Sequence, residues 1–136
     1  MGISEMMLLS ASWGVVSRHI PLRVIRTEEE YKTQQQWANT LADEVGDNEA
    51  HPLFSLFEVV LLLIEQWESK HVSIPDAPPK EVLRFLLQDH GLRQKDLADI
   101  ASKQLISDIL AGRRPVSRKL AVKLAKRFNV GVSAFI

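Results

Sequence analysis

The stretch from Leu92 to Pro115 holds two short helical patterns around a tight turn and runs out into a basic loop at Arg113-Arg114. The first pattern covers Arg93 to Asp99 and the second Ser102 to Leu110. In the second, Ile106, Ile109 and Leu110 recur at i, i+3 and i+4 and form an apolar back, while Lys103, Gln104, Ser107 and Asp108 form a polar front. Flanking patterns supply a body for that back to lie on. Glu81 to His90 turns Val82, Leu83, Leu86 and Leu87 inward with Gly91 as a stop, Ser117 to Phe128 turns in Leu120, Ala121, Leu124, Ala125 and Phe128, and Val132 to Phe135 makes a last turn. Residues 80–136 therefore read as a domain of five short helices.

The other half is patterned differently. Pro21 to Arg26, with β-branched residues in partial alternation, reads as one short strand. Thr27-Glu28-Glu29-Glu30 is a capping box, so a helix starts there; Tyr31, Ala38, Leu41, Ala42 and Val45 follow at helical spacing, and Gly46 ends it. Pro52 suits a first helical position, and Leu53 to Lys70 is apolar almost all the way round. Such a helix needs cover beyond what its predecessor provides, from the C-terminal half, a second copy or a partner. Pro75, Pro78 and Pro79 make residues 73–79 a linker. The expected organisation is an extension free to be disordered over 1–20, an acidic helical region over 21–72 for partner binding or dimerisation, the linker over 73–79, and the five-helix domain over 80–136, all of it in the all-α class.

Composition narrows the function. The chain contains no cysteine, which removes disulfides, thiolate metal sites and cysteine nucleophiles and fits a cytoplasmic protein. Met1 to Val16 is fairly apolar but carries Glu5, lacks a basic cluster and shows no persuasive cleavage site, so it is not read as a signal peptide. The longest apolar run, Val59 to Ile64, is far shorter than the roughly 20 residues a bilayer span needs. Net charge is zero, yet residues 80–136 hold 12 Lys/Arg against 5 Asp/Glu, a net +7, while residues 1–79 hold 5 against 12, a net −7. A polyanion suits the first of these halves.

The pattern around Leu92–Pro115 suits reading of double-stranded DNA. In a helix-turn-helix the second helix presents base-reading residues to the major groove while its surroundings grip phosphates. Gln104 can bond adenine in bidentate fashion, Lys103 can donate to guanine, and Asp108 can accept from cytosine, with Ser107 beside them. Leu105 is left open between a thymine methyl contact and packing against the turn. For the phosphates, Gln94 stands at the start of the first helix, Ser102 caps the second, and Arg113 and Arg114 follow it. Arg118 and Lys119 begin the next helix, where positive charge opposes the macrodipole, and a nearby phosphate would account for them.

The motifs Gln94-x-x-x-Ala98, Ser102-x-x-x-Ile106-Ser107-x-Ile109 and Gly112-Arg113-Arg114-x-x-Ser117 resemble the Xre (Cro/CI-type) helix-turn-helix family. More narrowly, Ile25 to Tyr31, the Glu65-x-Trp67-Glu68-x-Lys70-His71-x-x-Ile74-Pro75 segment, and Gly91-Leu92-x-Gln94-x-Asp96-Leu97 with Ser102-Lys103 resemble the HigA-like antitoxins of bacterial type II toxin-antitoxin systems. The resemblance implies an autorepressor that binds a palindromic operator as a homodimer and holds a HigB-like mRNA-cleaving toxin inactive through its other half. The chain departs from the broad pattern between Ala98 and Ser102, where about two residues of the usual turn are missing, and a shortened first helix is expected.

Other classes fit less well. His19, His51, His71 and His90 fall in separate segments without metal-ligand spacing, and there is no Gly-rich phosphate loop, so no enzyme, metal or cofactor is expected. Glu65 and Glu68 lie three apart and can pair as acid and base, but a solvated helix face is the simpler reading. A free-standing regulator without a toxin is the alternative.

Overall fold

The structure, a computed structural model, describes residues 2–136; Met1, part of the 1–20 extension, lies outside the described residues. Among these the chain forms six α-helices, α1 Ile3–His19, α2 Glu28–Val45, α3 Phe54–His71, α4 Pro79–Asp89, α5 Lys103–Leu110 and α6 Arg118–Phe128, with 3-10 turns at Gln94–Leu97 and Val132–Ala134. The N-terminal stretch read as an extension is thus helical over Ile3–His19, and none of that helix's side chains is buried.

The strand expected at Pro21–Arg26 does not form. Isolated strands leave their backbone groups unpaired, and this segment instead tightens on itself, Leu22 N–H donating to the Ile20 carbonyl at 2.9 Å and Arg23 N–H to Pro21 at 3.0 Å. Ile20 and Ile25 are buried, and the Gln34 amide donates to the Pro21 carbonyl. Helix α2 then starts at its predicted cap. Thr27 Oγ1 accepts from Glu30 N–H at 3.1 Å, and the Glu30 carboxylate returns to Arg26 N–H at 3.3 Å, one residue earlier than in the usual box. Tyr31, Ala38, Leu41, Ala42 and Val45 are all buried, as the spacing predicts, and Gln34 joins them.

Helices α2 and α3 pack together as a helical hairpin. Pro52 is not the first helical residue: Pro52 and Leu53 form a turn and α3 begins at Phe54. Phe57, Val60, Leu61, Ile64 and Trp67 are buried, whereas Val59 and Leu62 stay exposed, so the apolar helix is covered on one side. Much of its cover comes from the C-terminal half. Helix α6 lies against α2 and the last 3-10 turn against α3, although residues 73–78 separate the two helical groups along the chain.

A buried carboxylate joins them. Glu68 is fully buried and accepts hydrogen bonds from Tyr31 Oη (2.5 Å), Val132 N (3.1 Å), Ser133 N (2.9 Å) and Ser133 Oγ (2.6 Å). A Cβ on Gly131 would stand 3.0 Å from that carboxylate, so only glycine lets the turn come this close. Glu68 therefore does not belong to the solvated face expected of it. Burial needs compensation, and four donors provide it.

Candidate nucleic-acid interface

The reader helix assembles as its pattern requires. Ser102 accepts from Leu105 N–H at 3.1 Å, ending the turn and starting α5. Ile106 and Ile109 are buried against α4 and the first 3-10 turn, which turns Lys103 and Gln104 out to solvent. Ser107 and Asp108 are half-buried beside them. Leu105 packs partly against the core, so the packing side of its two readings is observed.

The first helix of the motif is shorter than Arg93–Asp99. It is a 3-10 turn, Gln94–Leu97, with Asp96 accepting from Arg93 N–H at 2.7 Å and Ala101 N–H closing back onto Leu97 at 3.0 Å. With residues missing from the turn, Ser102 must start the next helix before the first can extend. Gln94 is half-buried at the start of this turn. Four residues carry little macrodipole, so any phosphate contact at Gln94 rests on its amide and nearby N–H groups.

Beyond α5 the loop is held by one side chain. Asp108 Oδ1 accepts from Gln104 Nε2 at 2.9 Å and from Arg113 Nε at 3.0 Å, with Arg113 Nη2 at 2.9 Å. The Asp108 carbonyl also accepts from the Arg113 and Arg114 N–H groups. The guanidinium holds the Asp108 carboxyl below the usual carboxylate range. Gly112 makes the bend at φ +77°, and the exposed Arg113 and Arg114 follow. Two contributors were invisible to local patterns. Arg84 on α4 donates to the Leu110 carbonyl at 2.8 Å, satisfying the end of α5, and Lys80 lies beside Gly112, its Nζ 3.1 Å from where a Cβ would be. Their spacing of 26 and 32 residues from their partners leaves no periodic signal.

The cations at the start of α6 go elsewhere. Arg118 pairs with Glu58 at 3.2 Å and lies over the Phe54 ring, while Lys123 pairs with Asp43 at 2.5 Å. Lys123 first, with Lys119 and Lys126 adding their fields, holds the Asp43 carboxyl low. Arg118 and Lys119 thus face the acidic half, and the charge opposing their macrodipole has an internal reason. They do not join the group formed by Lys103, Gln104, Ser107, Asp108, Ser102, Arg113 and Arg114. Glu65 is half-buried and its carboxyl is pushed up, by burial first and then by Glu68. Among the described residues no three His, Asp or Glu side chains gather closely enough to hold a metal, and no helix is long and apolar enough to cross a membrane.

A capped helix with an apolar back and polar front, set between a tight turn and a cationic loop, defines a DNA-binding helix-turn-helix protein of the Xre type, and the helix-turn-helix family model matches residues 83–135. Over 120 residues the chain is 33% identical to antitoxin HigA of Escherichia coli (strain K12), covering 82% of this chain and 83% of that protein, and matches the antitoxin HigA of Shigella flexneri to the same degree. The chain belongs to the HigA family of antitoxins.

Proposed function

We propose that this protein is a cytoplasmic antitoxin that represses its own operon as a homodimer on a palindromic operator and neutralises a HigB-like mRNA-cleaving toxin. The observation that carries the DNA part is the split of α5: Ile106 and Ile109 buried, Lys103 and Gln104 open to solvent, Arg113 braced beside them. Lys103, Gln104, Ser107 and Asp108 read bases. Gln94, Ser102, Arg113 and Arg114 hold phosphates, and Arg118 and Lys119 reach a phosphate only by leaving their acidic neighbours. One reader helix covers a few base pairs, so two half-sites about 34–36 Å apart supply useful specificity.

The toxin part rests on charge. Glu28, Glu29, Glu44, Asp47 and Glu49 are exposed on the N-terminal half, acids suited to a basic RNA-cleaving partner. Each part has its own test. Lys103→Ala with Gln104→Ala lowers affinity for the operator more than for random DNA, whereas Arg113→Ala with Arg114→Ala weakens all DNA alike; equal loss of operator and random binding in both variants would reject the assignment. For the toxin, a small basic reading frame beside the gene and co-purification of its product are expected. Their joint absence favours a free-standing regulator.

A further inference from the structure

None of the side chains of α1 is buried, and the helix is apolar on more than one side: Met7, Leu8 and Val15 are 69, 69 and 47% exposed, and a larger group forms a stripe away from Leu8 and Val15. Ile3, Met6, Leu9, Trp13 and Val16 are 82, 43, 57, 48 and 37% exposed, and they fall within an arc of roughly 140° on the helix. Together they leave roughly 500 Å² of apolar surface in water, a patch that on soluble proteins usually marks an interaction site. A bilayer surface is a poor match. Helices that lie on anionic lipid carry Lys and Arg along the polar face, and α1 has no such face: its serines are scattered round it, Ser10 and Ser17 within the arc of the stripe, and its basic residues are only Arg18 and His19 in the last turn. The acidic surface proposed for the toxin is likewise absent here, since α1 carries Glu5 alone.

The stripe does match itself. Centred on Ala11, an antiparallel second copy sets Met6 against Val16 and Leu9 against Trp13, reciprocally, as a two-fold axis requires. Two stripes bury about 1,000 Å² in total, the lower edge for a specific interface.

We propose that α1 is the pairing element of this chain, joining two copies through antiparallel contact of the Ile3, Met6, Leu9, Trp13 and Val16 stripe. The inference rests on the homodimer proposed above and names its surface. Sedimentation equilibrium on the full chain tests it. Leu9→Glu with Trp13→Glu raises the dimer dissociation constant at least tenfold, while Leu8→Glu with Val15→Glu, on the opposite side of α1, leaves it unchanged. No α1 side chain is buried, so unfolding of the remaining helices reports that each variant is folded. A wild-type dimer that survives the Leu9 and Trp13 changes overturns the assignment to α1 and leaves the homodimer standing. A wild-type monomer throughout the micromolar range overturns both, and one that floats with vesicles of phosphatidylglycerol and phosphatidylcholine assigns the stripe to lipid instead.

Discussion

The loop after α5 and the first turns of α6 are both cationic and only a few residues apart, yet they face different surroundings. Arg113 and Arg114 stand in solvent beside the reader helix, while Arg118 and Lys123 pair with Glu58 and Asp43 on α3 and α2. The difference comes from the apolar face of α6. Leu120, Ala121, Val122, Leu124 and Ala125 bury α6 against the N-terminal helices, and its flanking cations are carried to the acids there. Net charge thus describes a segment, and the buried face decides what that charge meets.

The inward side of this comparison breaks most readily at Glu68. Removing its carboxylate strands the Val132 and Ser133 N–H groups and the Tyr31 hydroxyl, so Glu68→Ala costs roughly 3 kcal/mol or more of unfolding free energy in urea titrations. A loss below about 1 kcal/mol would mean the latch does not hold the halves together. On the outward side, Arg113→Ala with Arg114→Ala lowers DNA affinity on the order of tenfold and reduces the salt slope by about 2, one unit per phosphate contact. Arg118→Ala with Lys123→Ala sharpens the contrast: the salt slope is unchanged and stability falls by less than about 1 kcal/mol, since these pairs are partly exposed. If that pair changes the salt slope as much as the loop does, the division between the two groups fails.

The smallest effect is a pH dependence. Burial first, and the Glu68 carboxylate it donates to second, hold the Tyr31 hydroxyl well above its usual value of about 10. A folded-state value above the unfolded one means this contribution is fully present below about pH 10 and declines as pH rises beyond it. The stability gap between wild type and Tyr31→Phe accordingly narrows above pH 10. A constant gap there would show that Tyr31 does not stay protonated on Glu68.

What the chain announces in advance is what lies close in sequence. The caps at Thr27 and Ser102, the buried positions of α2, and the split of α5 into Ile106 and Ile109 against Lys103 and Gln104 all follow from a 3.6-residue period. What escaped it depends on distant partners. Glu68 looks like a surface residue until Ser133 arrives to satisfy it, and Arg118 looks free until α6 docks beside Glu58. Pro21 to Arg26 carries β-branched residues but finds no neighbouring strand among the described residues, and the shortened turn before Ser102 trims the first motif helix to Gln94–Leu97.

The brace between Asp108 and Arg113 has a consequence for how much order Arg113 still has to gain on the proposed DNA contact. Immobilising a long side chain on association usually costs about 0.5–1.5 kcal/mol, and for Arg113 much of that ordering is completed when the chain folds. No side-chain ion pair ties Arg114 among the described residues, so on the proposed contact the loop would offer one guanidinium already posed and one still able to adjust to the curvature of the strand.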